Sequence, residues 1–140
     1  MSSFTSRYGN PADDYKGAHI WARSRHNATV VAIGGRIDAR NIEHVIERAV
    51  RVARPDAPFV LDLTGATSFS PAAVRLLTAV DDHCTALGVQ WALVAGDAVA
   101  RRIQHADFPM LNTVAEAEHA FDDALLRRRR MLLPLLRKSA

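Results

Sequence analysis

A chain of 140 residues, 49% hydrophobic and 24% charged, has the size and make-up of one globular domain. Its net charge of +3 comes mostly from the C-terminal tail, and no basic stripe interleaved with aromatics runs through the body, which argues against direct nucleic-acid binding. Cys84 is the only cysteine and no apolar run nears the ~20 residues that span a bilayer; Met1–Arg7 lacks the apolar core of a signal peptide, so a soluble cytoplasmic protein is expected.

Residues 1–17 are polar, with Gly9-Asn10-Pro11 and Asp13-Asp14, and read as a flexible arm. Ala18–Arg25 alternates weakly and His26-Asn27 forms a turn. Thr29–Ile33 follows as a second strand, so the pair reads as a hairpin. Gly34-Gly35-Arg36-Ile37-Asp38 leads into a helix that Asp38 is placed to cap. Ile42, Val45, Ile46, Ala49 and Val50 make its apolar face, and Pro55 and Pro58 punctuate its end.

Phe59–Leu63 is a short apolar run broken by Asp62, as in a central strand. A turn at Thr64-Gly65 and a short loop follow, and a second helix opens at Ser70-Pro71. Val74, Leu77, Val80, Cys84 and Leu87 share one face of it, and Gly88 stands where a left-handed cap is expected. Val89–Val94 is another strand. Gly96-Asp97 turns the chain into a short helix with Val99 and Ile103 inward and Arg101 and Arg102 outward.

Pro109-Met110-Leu111 reads as a brief edge strand. Thr113–Glu116 matches a capping box, and Ala117, Ala120, Phe121, Ala124 and Leu125 stripe the last helix. Strands alternating with helices predict an α/β fold: a mixed, largely parallel sheet with right-handed crossovers, here over residues 18–126, with a basic and apolar tail at 127–140.

Parallel strands deliver their C-terminal ends to one side, where ligands of open α/β sheets gather. A rim is expected there from Arg36, Asp38, Ser68, Ser70, Pro71, Val74, Arg75, Asp97 and Arg101. A helix opening adds unpaired N–H groups and a positive dipole end, which suit an anion or an acidic side chain. Ser70 before Pro71 is a favoured helix opening. Its sharper reading is a phosphoacceptor, with Thr67 and Ser68 as lesser candidates. Asp62 is expected to bond the Thr64-Gly65 turn, and Cys84 to fill the core.

The six histidines have no zinc-motif spacing, and Gly34-Gly35 lacks the dinucleotide fingerprint. No metal, cofactor or catalytic residue is nominated, so an enzyme is not expected. Arg127–Arg130 suit a helix C-terminus. The following Met131-Leu132-Leu133-Pro134-Leu135-Leu136 is too apolar to leave in water; it either folds back on its own domain, pairs in a homodimer, or docks to a partner or an anionic membrane.

The element order and four motifs resemble the STAS family, the domain of bacterial anti-sigma-factor antagonists that also occurs on sulfate transporters and in stress-signalling assemblies. The motifs are Gly35-Arg36-Ile37-Asp38, Asp62-Leu63-Thr64-Gly65, Gly88 to Val94, and Thr113 to Ala124. The resemblance implies the STAS fold and an anti-sigma factor with serine kinase activity as partner, so that binding regulates sigma-factor-dependent transcription. Partner-switching members carry Asp-Ser-Ser-Gly at the second helix, and its first Ser is phosphorylated. Those positions here are Ser70, Pro71, Ala72 and Ala73, so Pro71 stands in the phosphoacceptor slot. The alternative is a STAS-like scaffold or a module binding nucleotide, lipid or transport machinery.

Overall fold

The computed structural model describes residues 13–25, 28–103, 108 and 110–124. The elements are β1 (Asp13–Tyr15), β2 (Ala18–Arg25), β3 (Ala28–Ile37), α1 (Ile42–Arg51), β4 (Phe59–Leu63), β5 (Ala66–Phe69), α2 (Val74–Leu87), β6 (Trp91–Ala95), α3 (Asp97–Arg102) and β7 (Met110–Leu111). A helical segment over residues 114–124, α4, follows. The sheet runs β1-β2-β3-β4-β6-β7, with β5 beside the end of β3. β1, β2 and β3 are antiparallel neighbours, and the remaining pairings are parallel. The mixed, largely parallel sheet expected from the sequence is therefore present.

Strand parity divides the core. Ile20, Val31, Ile33, Phe59, Leu61, Leu63 and Leu93 point to the face covered by α1, α2 and α3, where they meet Val45, Leu76, Leu77 and Val99. Each large side chain taken fully out of water contributes roughly 1.5–3 kcal/mol. Val30, Val60, Ala92 and Val94 point to the other face and pack against Ala117 of α4, with Val114 and Phe121 beside it. Asp62 has the parity of Val60, so it interrupts the smaller core and leaves the larger one intact. Among the described residues no helix is long and apolar enough to cross a membrane.

Residues 13–17, expected in the flexible arm, instead form an edge strand and a two-residue turn, with Lys16 at φ 43° and Gly17 at φ 92°. Positive φ at both central positions matches the right-handed twist of the flanking strands. Asp13 anchors this hairpin to α1: His44 Nε2 lies 2.6 Å from its Oδ2, and Arg48 Nε lies 3.0 Å from the same oxygen. Tyr15 stacks on His44 with ring centroids 4.0 Å apart. Residues 1–12, the His26-Asn27 turn, Pro109, Leu125 and the 127–140 tail lie outside the described residues.

Residues 66–69, expected as loop, are β5. β4 and β5 run along β3 as one strand interrupted at Thr64-Gly65: β4 pairs with Thr29–Ala32, and β5 pairs with Gly35–Ile37. Gly35 N–H donates to Gly65 O at 3.1 Å across the interruption. A register shift at Gly35/Arg36 absorbs the extra residue.

Candidate functional site

The interrupted strand sets the geometry of the C-terminal rim. β3 ends at Ile37, β5 ends at Phe69, and β6 ends at Ala95 before α3. Ser70 N–H donates to Ile37 O at 3.0 Å, which joins the first two ends directly. Arg36 and Ser68 are register partners on β3 and β5, and both are exposed. α3 packs on β5, and Arg102 Nε donates to Phe69 O at 3.2 Å. Arg102 is exposed, as expected, while its Nε supplies the donor that the carbonyl at the free side of β5 needs. Arg101 stays on its own helix, with Nε donating to Asp97 O at 3.3 Å.

Asp38 does not cap α1 with its side chain. Its Oδ1 accepts from Arg40 N–H at 2.9 Å, closing an Asx turn before the helix, and its backbone O accepts from Ile42 N–H at 2.9 Å. The N-cap position belongs to Asn41, whose side chain makes no capping bond. Asn41 is 1% exposed and serves the rim instead. Its Nδ2 donates to Arg36 O at 2.8 Å and Lys16 O at 3.1 Å, while its Oδ1 accepts from Asp38 N–H at 3.0 Å. One amide thus ties the β1–β2 turn to the end of β3. Sequence reading missed Asn41; the available signal was a short amide residue just before the apolar stripe of α1.

The Arg40 backbone N–H and guanidinium, with Arg36 as a weaker influence, hold the Asp38 carboxyl below its ordinary value. Asp62 behaves as expected: its Oδ1 accepts from Thr64 N–H at 3.0 Å and from Thr64 Oγ1 at 2.7 Å. This fixes the turn that lets β4 continue as β5.

Ser70 differs from its expected capping role. The helix opens with a short 3-10 turn, Pro71–Ala73, and Ser70 makes no side-chain cap bond. Its Oγ is buried and has no hydrogen-bond partner. The backbone alone serves the turn, with Ala73 N–H donating to Ser70 O at 3.0 Å. Thr67 and Ser68 are exposed. Of the three hydroxyl residues weighed as phosphoacceptors, Ser70 is therefore the one whose oxygen faces away from solvent.

Pro71, Val74 and Arg75 line an open groove of about 570 Å³ between α1 and α2, together with Ile46, Thr78, Ala79 and Asp82. Pro71 and Arg75 are exposed and Val74 is half-buried. The site thus offers an apolar floor beside one cation and one anion. Asp97 and Arg101 lie on α3, which packs against β5, and do not line the groove.

Cys84 is buried on α2, and burial with nearby Asp81 pushes its thiol up to about 11. It is protonated at neutral pH and a poor nucleophile. Gly88 ends the helix at φ 72°, the left-handed cap expected for it. Among the described residues no group of three or more His, Cys, Asp or Glu side chains is placed to hold a metal ion.

The sequence pattern of the STAS domain matches residues 19–120. Osmosensory protein A of Mycobacterium tuberculosis is 45% identical over 146 aligned positions, which take in 99% of this chain and 92% of that protein. The crystal structure of an anti-sigma factor antagonist from Mycobacterium paratuberculosis superposes with a TM-score of 0.60 at 22% identity, over 74% of this chain and 92% of that one. At that identity the superposition speaks for the fold.

Proposed function

The chain belongs to the STAS domain family, and from that premise we propose that it is a non-enzymatic binding module that docks an anti-sigma factor on its C-terminal rim. By occupying that partner it regulates sigma-factor-dependent transcription. The observation that carries the reading is the joining of Ser70 to Ile37 beside the α1–α2 groove. It sets Pro71, Val74 and Arg75 in a fixed, open, partly apolar surface. Association costs translational freedom, and a preorganised surface adds little further ordering cost.

Two features favour control by something other than a phosphate at the helix opening. Pro71 has no hydroxyl, and the Ser70 hydroxyl is buried. A phosphate of roughly −1.5 to −2 charges would need water or cations around it. The relative named osmosensory protein A makes osmotic stress the input to apply.

The test is affinity capture from native cells, with and without osmotic stress, using wild type, Val74→Glu and Arg75→Glu. The reading expects an anti-sigma factor, identified by mass spectrometry, that either substitution weakens at least about tenfold, the scale of an interface hot spot. Capture of transport or lipid-handling proteins instead, indifferent to both substitutions, would favour the scaffold reading. Incubation with the captured kinase and ATP should leave Ser70 unmodified.

A further inference from the structure

The strap formed by β1 and its turn, residues 13–17, buries none of its own side chains: Asp13 and Tyr15 are half-buried, and Asp14, Lys16 and Gly17 are exposed. Segments that bury little apolar surface sit at the low end of local stability. Among the described residues the strap is held by polar and ring contacts. One Asp13 oxygen, Oδ2, lies 2.6 Å from His44 Nε2 and 3.0 Å from Arg48 Nε. His44 and Arg48 are four residues apart on α1, so this oxygen stands between two groups that repel whenever both are charged. Tyr15 stacks on His44, and Lys16 Nζ lies 5.3 Å from the Tyr15 ring. Asp14 Oδ1 is 2.7 Å from Nδ1 of His19, its register partner on β2, but that pair is exposed and contributes little. The turn reaches the rim. Gly17 O accepts from Arg36 N–H at 3.0 Å, and Lys16 O accepts from Asn41 Nδ2. Gly17 O sits so close over Gly35 that a Cβ there would lie 2.2 Å from it.

We propose that residues 13–17 are a latch that opens and closes as a unit while the rest of the sheet stays folded, with Asp13 as its catch and the end of β3 as the part it holds in place. Opening breaks the Asp13 contacts, the ring stack and the short ladder to Ala18–Ile20, and it exposes little apolar surface. Parting β3 from β4 would instead open the core at Val31 and Leu61. The latch therefore opens at a lower free energy than the sheet. Once it is open, Arg36 N–H and Asn41 Nδ2 each lose a carbonyl, and Asn41 keeps only Arg36 O and Asp38 N–H. Gly35 N–H, one residue earlier, donates to Gly65 O and loses nothing. Two neighbouring amides thus report two different openings. A ligand that prefers Arg36 and Asp38 in the latched shape shifts the population toward it, and one that prefers the released shape does the reverse. The inference concerns the shape of the rim and stands whether or not an anti-sigma factor docks there.

The test is native-state hydrogen exchange of the full chain, read residue by residue by NMR and corrected for intrinsic rates. The Arg36 amide is expected to exchange at least about tenfold faster than the Gly35 amide. Asp13→Ala should speed Arg36 at least about tenfold further. It should leave Gly35, and Phe59 whose amide donates to Gln90 O at 2.9 Å, within about twofold of wild type. Arg36 exchanging in step with Gly35, an Arg36 rate that Asp13→Ala leaves unchanged, or all three amides speeding together would overturn the proposal. A second set of variants tests the catch itself. His44→Ala with Arg48→Ala removes both partners of Asp13, so adding Asp13→Ala to that pair should change the Arg36 rate less than about twofold. A further tenfold acceleration there would also overturn it.

Discussion

The rim and a second groove, walled by Trp91, Met110 and Phe121 at the start of β6, occupy opposite ends of the central strands and are built by opposite means. At the rim the chain is fixed by directed polar contacts: the three bonds of Asn41, the Asp38 turn, Ser70 on Ile37 and Arg102 on Phe69. At the groove the walls are mostly apolar, with the Trp91 indole bonded to Asp81 and backbone bonds at Val89, Gln90 and Met110. A surface meant for a separate protein profits from rigidity, because each side chain frozen on binding subtracts from affinity.

That contrast breaks first at Gly35. Its φ is +81°, and a Cβ there would lie 2.2 Å from Gly17 O, a backbone atom with little room to yield. Gly35→Ala is expected to destabilise by about 3–5 kcal/mol, through the left-handed backbone and the overlap together. Urea unfolding measures it; a loss below about 1 kcal/mol would mean the two turns are not tightly stacked.

Asn41→Ala comes next. It strips partners from two carbonyls and one N–H near the rim and is expected to cost about 2–3 kcal/mol. Partner affinity should fall in the same variant, because the end of β3 loses its tie to the Lys16 turn. Phe121→Ala, at the groove, should cost about 1–2 kcal/mol, less than for a fully buried ring because Phe121 is only half-buried. Partner affinity should not change, which separates the two regions.

The smallest effect is acid sensitivity at the rim. The folded-state Asp38 carboxyl sits below its ordinary value of 3.8. Its stabilising contribution is present above that value and is lost as pH falls through the lowered one. Asp38→Asn should flatten this acid limb slightly in a pH series of unfolding midpoints, while leaving the neutral range nearly unchanged. At the other extreme, Cys84 should resist alkylation in the native protein at pH 8 and react once unfolded, since its thiol titrates at about 11.

Much of the scaffold was legible because it rests on local rules. Apolar spacing gave α1 and α2, Gly88 gave the end of α2, and the Thr113-to-Glu116 pattern gave the start of α4. There Glu116 N–H donates to Thr113 Oγ1 at 3.0 Å, but the Glu116 carboxylate accepts from Asn112 N–H rather than closing the box. What was illegible depends on partners distant in sequence. β1 is a strand because His44 and Arg48 hold Asp13 from 31 and 35 positions away. β5 is a strand because Gly34 and Gly65 let two backbones approach.

The rim residues were legible as a group from strand direction alone, whereas their individual roles were not. Asp38 and Ser70 both looked like side-chain caps, and tertiary packing reassigned one to a turn and buried the other's hydroxyl. Arg102 is solvent-facing as read, but its bond to the Phe69 carbonyl of β5 was not legible.

The central claim is that the C-terminal rim is the docking surface. Hydrogen–deuterium exchange of the full chain, alone and saturated with the captured anti-sigma factor, tests it most directly. The account predicts new protection over residues 36–40 and 66–78, with 89–92 and 120–124 unchanged. Protection confined to the groove segments, or none at the rim, would contradict it.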